Sequence, residues 1–476
     1  MIVLIRIKMD FLKKYKKIFI SGMAGSGTSA LAGFLFENGI EVLGSDSGDL
    51  SMLSELDIKV YTSQEENNID DSIDLLVYSS AVLENNPERI KAKELEIPEM
   101  TYFQVLGEIS QNYYTVAISG TNGKTTTTSI SSILLNNTEL DPNVIVGAKV
   151  LELDNKNYKK GNSNILIVEA CEYMEHFLFL NPNILTITNI EEEHLDYYKN
   201  LENIILAFEK MINKLPDGGI VIYNKDDKNT CELIKKVSQK RYDLNFVSYG
   251  IEEEADFIAK FTDTKDGVQI FEIYYNREFL AEFRLSIPGK FNVYNTLASI
   301  TTCFTISKIN KLKHNILDWQ YKILNFKGSK RRFEIVKKDI KKDILYVIDY
   351  AHHPTSINQV IIGAKRMYSS RRIFVIFQPH TFNRTKNLFD DFTKCFDYAD
   401  FCFISDIYEP TGRDIETKNI ISSKDLVRAI KKRNPKLKIK YSGNLIKTSK
   451  KMKKSLKNKD LVLILGAGNI FSLDIN

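Results

Sequence analysis

Paired cysteines are missing from this chain. The five it has (Cys171, Cys231, Cys303, Cys395 and Cys402) are scattered without CxxC spacing, which excludes a disulfide framework and a zinc ribbon and reads as reduced thiols in a cytoplasmic protein. Long apolar runs are missing as well: none approaches the roughly 18 residues of a membrane span, so a membrane-spanning helix is excluded. The opening MIVLIRIKMDFLKKYKKIFI has an apolar patch, but its lysines follow that patch and no small-residue cleavage site appears. It reads as a leader into the first strand, with Met9 an alternative start. Nor is there a large excess of one charge. Lys and Arg number 65 and Asp and Glu 61, a net +4, too balanced for a partnership with nucleic acid or membrane built on bulk charge. Small polar or anionic ligands fit better. Internal repeats and low-complexity linkers are also absent, which leaves no solenoid and no disordered spacer.

What is present is 476 residues, enough for about three domains at roughly 150 residues each. Short β-branched runs alternate with helical periodicity, the pattern of parallel sheets covered by helices on both faces. The predicted class is α/β in three domains. A Rossmann-like block covers 1–110 and opens with IFISGMAGSG; a P-loop ATPase-like parallel sheet covers 111–327 and opens with TVAISG; a second Rossmann-like block covers 328–476, its first strand ILYVIDY and its last LVLILGAGNI. Near the end of the central block the alternation in FEIYYNREFLAEFRLSI predicts a small antiparallel addition. From 431 to 459 lysine crowds the chain; a nucleic-acid patch is one reading, and a solvated helix face is the preferred one.

The chemistry concentrates in VAISGTNGKTTTTSI. A phosphate loop of the usual spacing needs a glycine five positions before Gly123, and Ile118 stands there, so this is a shortened version. Gly120, Thr121, Asn122 and Gly123 turn a strand into a helix and aim backbone N–H groups at an anion. Lys124 then reaches the outer phosphates, and Thr125, followed by Thr126, offers a hydroxyl to Mg2+. A glycine-rich turn with a surface lysine is the plain alternative. Two further apolar runs end abruptly in polar groups, ILIV at Glu169 and ILTIT at Asn189, Glu193, His194 and Asp196. Ligands of an open parallel sheet lie beyond the carboxyl ends of its strands, so Lys124, Glu169 and His194 are expected to converge. Thr125 and Glu169 suit a first hard cation and the His194 imidazole a second; simple capping of the next helix by His194 and Asp196 is compatible with this. Asn292 and Asn295, three apart at a helix start, share a face from which two amides can read a purine edge. Capping is an adequate rival for Asn292.

The outer blocks carry weaker signals. Gly22, Gly25 and Gly27 follow a strand in GxxGxG spacing, and Asp46 stands 19 residues beyond Gly27. This fits a dinucleotide fingerprint with Asp46 on a ribose, although any diphosphate satisfies the same helix N-terminus. In the third block YVIDYAHHPTSI and FVIFQPHTFNRT bring His352, His353, His380 and Arg384 to one edge. Zinc is disfavoured, because adjacent histidines on an extended segment point apart and no cysteine completes a set.

In order along the chain, GTNGKTTT, the Glu169 strand end, TNIEEEHLDYY, FNVYN, KGSKRRF and DYAHHPTSI resemble the motifs of the Mur ligase family, nearly end to end. DYAHHPT, FQPHTFNRT and GAGNI look most like the members that attach the first amino acid of the peptidoglycan stem peptide. The resemblance implies an ATP-dependent, ADP-forming ligase that uses Mg2+ and acts on UDP-N-acetylmuramate and L-alanine. It implies a cytoplasmic monomer or homodimer, with no nucleic-acid or membrane partner. It also implies roles: Lys124 on the β and γ phosphates, Thr125 and Glu169 on one Mg2+, His194 on a second, Asn292 and Asn295 on adenine, Arg332 on phosphate, Asp349 on ribose. The first block then resembles a UDP-binding domain, with Gly25, Ser26 and Gly27 on the pyrophosphate, Asp46 toward the uridine, and Ser79 and Ser80 along the nucleotide sugar.

Under the same resemblance His352, His353, His380 and Arg384 position the amino acid and the muramyl carboxylate, Arg384 by bidentate hydrogen bonds, and SDIYEPTGRD forms part of that wall. From VEACEYMEHF only Glu169 is carried over. Three other readings stay open. A nicotinamide-dependent oxidoreductase would use the N-terminal glycines and Asp46 but leave GTNGK without a task. A nucleotide-driven switch would need the phosphate loop alone. Another Mur-type ligase would act later on the stem or recycle whole peptides.

Overall fold

In the computed structural model of the chain, residues 10–54, 56–265, 268–409 and 421–475 are described; the predicted leader and the alternative start at Met9 lie outside them. Three sheets stand where three blocks are predicted. The first has five parallel strands in the order Lys59–Tyr61, Glu41–Ser45, Lys17–Ser21, Leu75–Tyr78, Glu99–Thr101. Ile18, Phe19 and Ile20 of its middle strand are completely buried, as the continuous apolar run of a doubly covered parallel strand requires. Helix Ser26–Glu37 packs on it through the run from Thr28 to Leu35, buried throughout.

The central sheet has ten strands. Seven run in the order Asn245–Gly250, Ile220–Asn224, Ile184–Ile187, Tyr114–Ser119, Ile165–Glu169, Asn143–Val150, Lys156–Lys159. All are parallel to their neighbours except the last, which forms an antiparallel edge. Three further strands, Phe257–Lys265, Val268–Tyr275 and Glu278–Leu285, continue in chain order beyond Asn245–Gly250, where the small addition is predicted. Helix Lys124–Leu135 is buried from Thr125 onward although seven of those eleven residues are Thr or Ser. Some of its hydroxyls turn back onto its own carbonyls, Ser129 Oγ to Thr125 O at 2.7 Å and Ser132 Oγ to Thr128 O at 2.7 Å, which satisfies those groups without water, whereas Thr127 Oγ1 and Ser131 Oγ are buried without a hydrogen-bond partner among the described residues.

The third sheet runs Glu334–Asp339, Ile344–Asp349, Asp460–Leu465, Arg372–Phe377, Phe401–Ser405, Lys438–Gly443, parallel except for its first strand. That antiparallel edge strand, EIVKKD, precedes the expected first strand ILYVIDY; its mixed charge hides it from a search for apolar runs. The lysine-rich stretch forms the end of helix Ser423–Arg433, the edge strand Lys438–Gly443 and helix Leu445–Ser455. Lysines on an edge strand also discourage pairing with other chains.

The chain divides into two compact units. One takes the chain to Lys260 with Ile273–Ala281 and Tyr294–Ile323; the other takes Phe261–Glu272, Glu282–Val293 and Leu324–Asn476. Within the first unit, the first sheet's helix Ser26–Glu37 is joined to the hairpin of the central sheet. Asn157 Nδ2 donates to Ser26 O at 2.8 Å and to Ser29 Oγ at 3.1 Å, and Lys156 meets Glu37 at 2.6 Å. Among the described residues no helix is long and apolar enough to cross a membrane.

Candidate active site

Strand Tyr114–Ser119 delivers the chain to the shortened loop, and the loop takes the shape that only glycine permits at two points. Gly120 has φ +133° and Gly123 φ +89°, the latter capping helix Lys124–Leu135. A Cβ on Gly120 would lie 2.1 Å from Thr188 Oγ1, and one on Gly123 2.3 Å from Asn295 Oδ1. The neighbouring strand end holds the turn. Asn122 N donates to Asn189 Oδ1 at 2.9 Å, Asn189 Nδ2 returns a bond to Asn122 O at 2.9 Å, and Glu191 N donates to Thr121 Oγ1 at 2.8 Å. Thr126, the next residue but one after Lys124, is buried.

The charged groups gather at that helix start. Lys124 Nζ donates to Gly120 O at 2.6 Å and Thr121 O at 3.0 Å, and meets Glu172 at 2.8 Å. Burial alone would lower the lysine pKa, but the Glu172 carboxylate beside it, with Cys171 and Glu169, outweighs burial and holds it above its ordinary value. Glu169 closes its strand opposite the loop: its carboxylate accepts from Thr125 Oγ1 at 2.9 Å and from Gly147 N at 2.7 Å. His194, in the left-handed conformation with φ +54°, places Nε2 3.8 Å from Glu172 Oε1 and lays its ring on Tyr173 at 4.4 Å. Lys124, Glu169 and His194 are therefore brought together, with Thr125. The Asp196 side chain lies outside the described residues.

Glu172 is the residue that sequence reasoning missed. It is buried and touches both Lys124 and His194, and the signal was a second carboxylate three residues past Glu169 at the end of the same apolar strand. Cys171 beside it is half-buried, and its desolvation, with the Glu172 carboxylate next to it, pushes its thiol up to about 12 and leaves it a poor nucleophile.

The remaining predicted residues divide by what holds them. Asn295 lies against Gly123, whereas the Asn292 amide donates within its own helix start, to Pro288 O at 2.7 Å. Asp349 is buried, and its two oxygens accept from Phe333 N at 2.8 Å and Ala351 N at 2.7 Å. Burial raises its pKa against the pull of the Arg332 charge. Arg332 spreads over the Tyr350 ring at 5.1 Å.

His353 caps helix Pro354–Met367, accepting from Thr355 N at 3.3 Å. His352 donates from Nδ1 to Tyr350 O at 2.8 Å, with its ring 6.1 Å from that of His380, whose Nδ1 accepts from Arg384 at 3.1 Å. Tyr408 pairs with this edge through Thr381 N, which donates to its carbonyl at 2.8 Å; Pro410 to Asp414 of the predicted wall lie outside the described residues. Among the described residues no group of three or more His, Cys, Asp or Glu is placed to hold a metal ion.

In the first block Gly25 caps helix Ser26–Glu37, and Gly27 makes room for the Tyr102 ring, 2.9 Å from where a Cβ would stand. Asp46 fastens the glycine loop, taking Ala24 N at 2.8 Å and Gly48 N at 2.8 Å. Ser79 N donates to Ser21 O at 3.0 Å, and Ser80 is exposed. A second overlooked carboxylate, Glu88, is completely buried beneath this end of the sheet and accepts from Ser21 Oγ, Ser45 Oγ and Asn68 Nδ2.

A cradle of backbone N–H groups, a lysine at a helix start and a hydroxyl–carboxylate pair across from it define a nucleotide-using enzyme of the α/β class. The Mur ligase family, catalytic domain, matches residues 17–114, the Mur ligase middle domain residues 118–303, and the Mur ligase, glutamate ligase domain residues 331–468. The chain belongs to the Mur ligase family. It is 38% identical over 468 residues to the UDP-N-acetylmuramate--L-alanine ligase of Caldanaerobacter subterraneus subsp. tengcongensis, covering 97% of each chain. With the enzyme of the same name from Clostridium kluyveri it shares 40% over 470 residues, 98% of each. Among solved structures it is similar to a UDP-N-acetylmuramate-alanine ligase from Thermotoga maritima, with a TM-score of 0.78, 26% identity and 96% of each chain covered.

Proposed function

We propose that this chain joins L-alanine to the lactyl carboxylate of UDP-N-acetylmuramate, converting ATP to ADP and phosphate, in the synthesis of peptidoglycan precursors. The observation that carries this is the Lys124, Thr125 and Glu169 cluster on a shortened phosphate loop, in a chain alike over 97% of its length to ligases of that name. A carboxylate is a poor electrophile and oxide a poor leaving group. In the proposed reaction a carboxylate oxygen attacks the γ phosphorus and ADP departs, leaving an acyl phosphate. The amine then attacks the acyl carbon, inorganic phosphate leaves with the bonding electrons, and the nitrogen sheds its surplus proton. Positioning and electrostatics supply the acceleration, and no side-chain nucleophile is needed.

The loop N–H groups and Lys124 take the phosphates, and Asn295 with Asn292 the adenine. Mg2+ fits the donor set: Thr125 Oγ1 and Glu169 are hard oxygen ligands 2.9 Å apart, and this ion is usually held by one or two carboxylates plus substrate phosphates. When bound it neutralises charge on the transferring group; His194 is the residue offered to a second ion. Gly25, Ser26 and Gly27 would take the diphosphate, with Asp46, Ser79 and Ser80 near the nucleoside and sugar. His352, His353, His380 and Arg384 would take carboxylates, and Arg332 and Asp349 would serve the phosphate and ribose, Asp349 through the backbone it fixes. Domains at 1–110, 111–327 and 328–476 accord with three sheets. The five free thiols and the substrates suit the cytoplasm, as a monomer or homodimer.

Phosphate release with ATP, UDP-N-acetylmuramate and each amino acid in turn tests the reading. Release that depends on both the muramyl substrate and alanine is expected. Release with neither, or only with a substrate already carrying stem residues, would overturn it and favour a switch or a later-acting ligase.

A further inference from the structure

Resting on that ligase reading, Glu172 has a part that none of the roles above covers. Its carboxylate is 2% exposed and meets Lys124 Nζ through both oxygens, at 3.1 Å on Oε1 and 2.8 Å on Oε2. His194 Nε2 stands 3.8 Å from Oε1. Lys124 is turned back on its own loop, onto Gly120 O and Thr121 O as well. A lysine that grips phosphate must release part of this set, and the partner it releases is a carboxylate too deep to be left to water. A buried carboxylate requires a cation beside it. The reaction delivers one: the amino acid arrives as an ammonium ion, and its nitrogen must come up to the acyl carbon next to the phosphate that Lys124 has taken.

We propose that Glu172 anchors this ammonium group. It is the partner of Lys124 while the phosphate loop is empty and the partner of the incoming amine once nucleotide has drawn the lysine away. The exchange keeps the buried charge paired up to the moment of attack and sets the nitrogen against the activated carboxyl, where the ammonium ion gives one proton to a phosphoryl oxygen of the acyl phosphate and the neutral amine so formed attacks the acyl carbon. It also makes the site select cationic amines, because a neutral group would leave the carboxylate uncompensated.

Full-length Glu172→Gln, nearly the same shape without the charge, tests the anchor, with Glu172→Asp as the charge-keeping variant. Alanine-dependent phosphate release by the unaltered protein tests the ligase reading separately, and the anchor is read from the variants relative to it. In Glu172→Gln the KM for alanine is expected to rise at least about tenfold, while a non-hydrolysable ATP analogue binds as well as before or more tightly. Trapping of the acyl phosphate by hydroxylamine, an amine that is neutral near pH 7, should stay within about threefold of the unaltered protein, and Glu172→Asp should recover part of the alanine KM. An unchanged KM for alanine overturns the proposal. So does a loss of analogue binding and of hydroxylamine trapping as deep as the loss with alanine, which would make Glu172 a prop for the loop alone. If the glutamine variant does not fold, the aspartate variant carries the same readings.

Discussion

Gly120 and Thr188 leave each other no room, and the loop depends on it. With φ at +133° and Thr188 Oγ1 2.1 Å from any added Cβ, Gly120→Ala combines backbone strain with overpacking. Its expected cost is about 2–4 kcal/mol, read as a lower denaturant midpoint, and nucleotide affinity should fall with it because the N–H cradle is displaced. Thr125→Val separates packing from chemistry. It removes only the hydroxyl that Glu169 accepts at 2.9 Å, so the midpoint should shift by no more than about 1 kcal/mol, while the Mg2+ concentration for half-maximal turnover rises about tenfold or more. The glycines, Lys124 and Thr125 were legible in sequence because a phosphate loop is a local device and its residues are neighbours. Glu172 was not, since its meaning comes from Lys124, 48 positions away. Asp46 and Asp349 were legible as positions, yet the structure gives their oxygens to backbone N–H groups, a use that residue type does not announce.

At the scale of an element, the turn after Glu169 is the least regular part of the site. Met174 and Glu175 sit at φ +52° and +58°, conformations that cost side-chain-bearing residues energy and gather where function over-determines the backbone. No motif encodes them, so sequence could place the turn but not its course. Its far end is tied down by His176, stacked on Phe103 at 3.7 Å and 12°. Burial lowers this imidazole to about 4, against about 6.5 for an exposed histidine. Between those values the unfolded chain binds a proton that the folded chain refuses, so stability must fall as the pH drops from about 6.5 toward 4. Allowing for partial exposure, the loss between pH 7 and 5 should exceed that of His176→Phe by about 1 kcal/mol. Urea midpoints of the two proteins at both pH values measure it, and equal losses would show that His176 titrates as though exposed.

At the scale of the whole molecule, composition and alternation were enough to count three α/β blocks, because each block carries its own apolar strands. What they could not show is which blocks are welded. The contact between helix Ser26–Glu37 and the hairpin of the central sheet joins residues as far apart as Ser26 and Asn157, and nothing local marks either side. Gly33 is its tightest point: a Cβ there would lie 2.0 Å from Tyr158 Cε1, so the ring lies flat against bare backbone. Gly33→Ala should therefore weaken the first compact unit as a body, by about 1–3 kcal/mol, which for a unit of this size is a few degrees. Calorimetry of the full chain should show the transition of that unit falling, with the transition of the unit containing Leu324–Asn476 unmoved. Tyr158→Ala in the same chain makes room for the added methyl, so the double variant should lose less than the two single losses together. Strict additivity would mean that the ring and the helix do not press on one another, and that the first two sheets are neighbours rather than a single cooperative body.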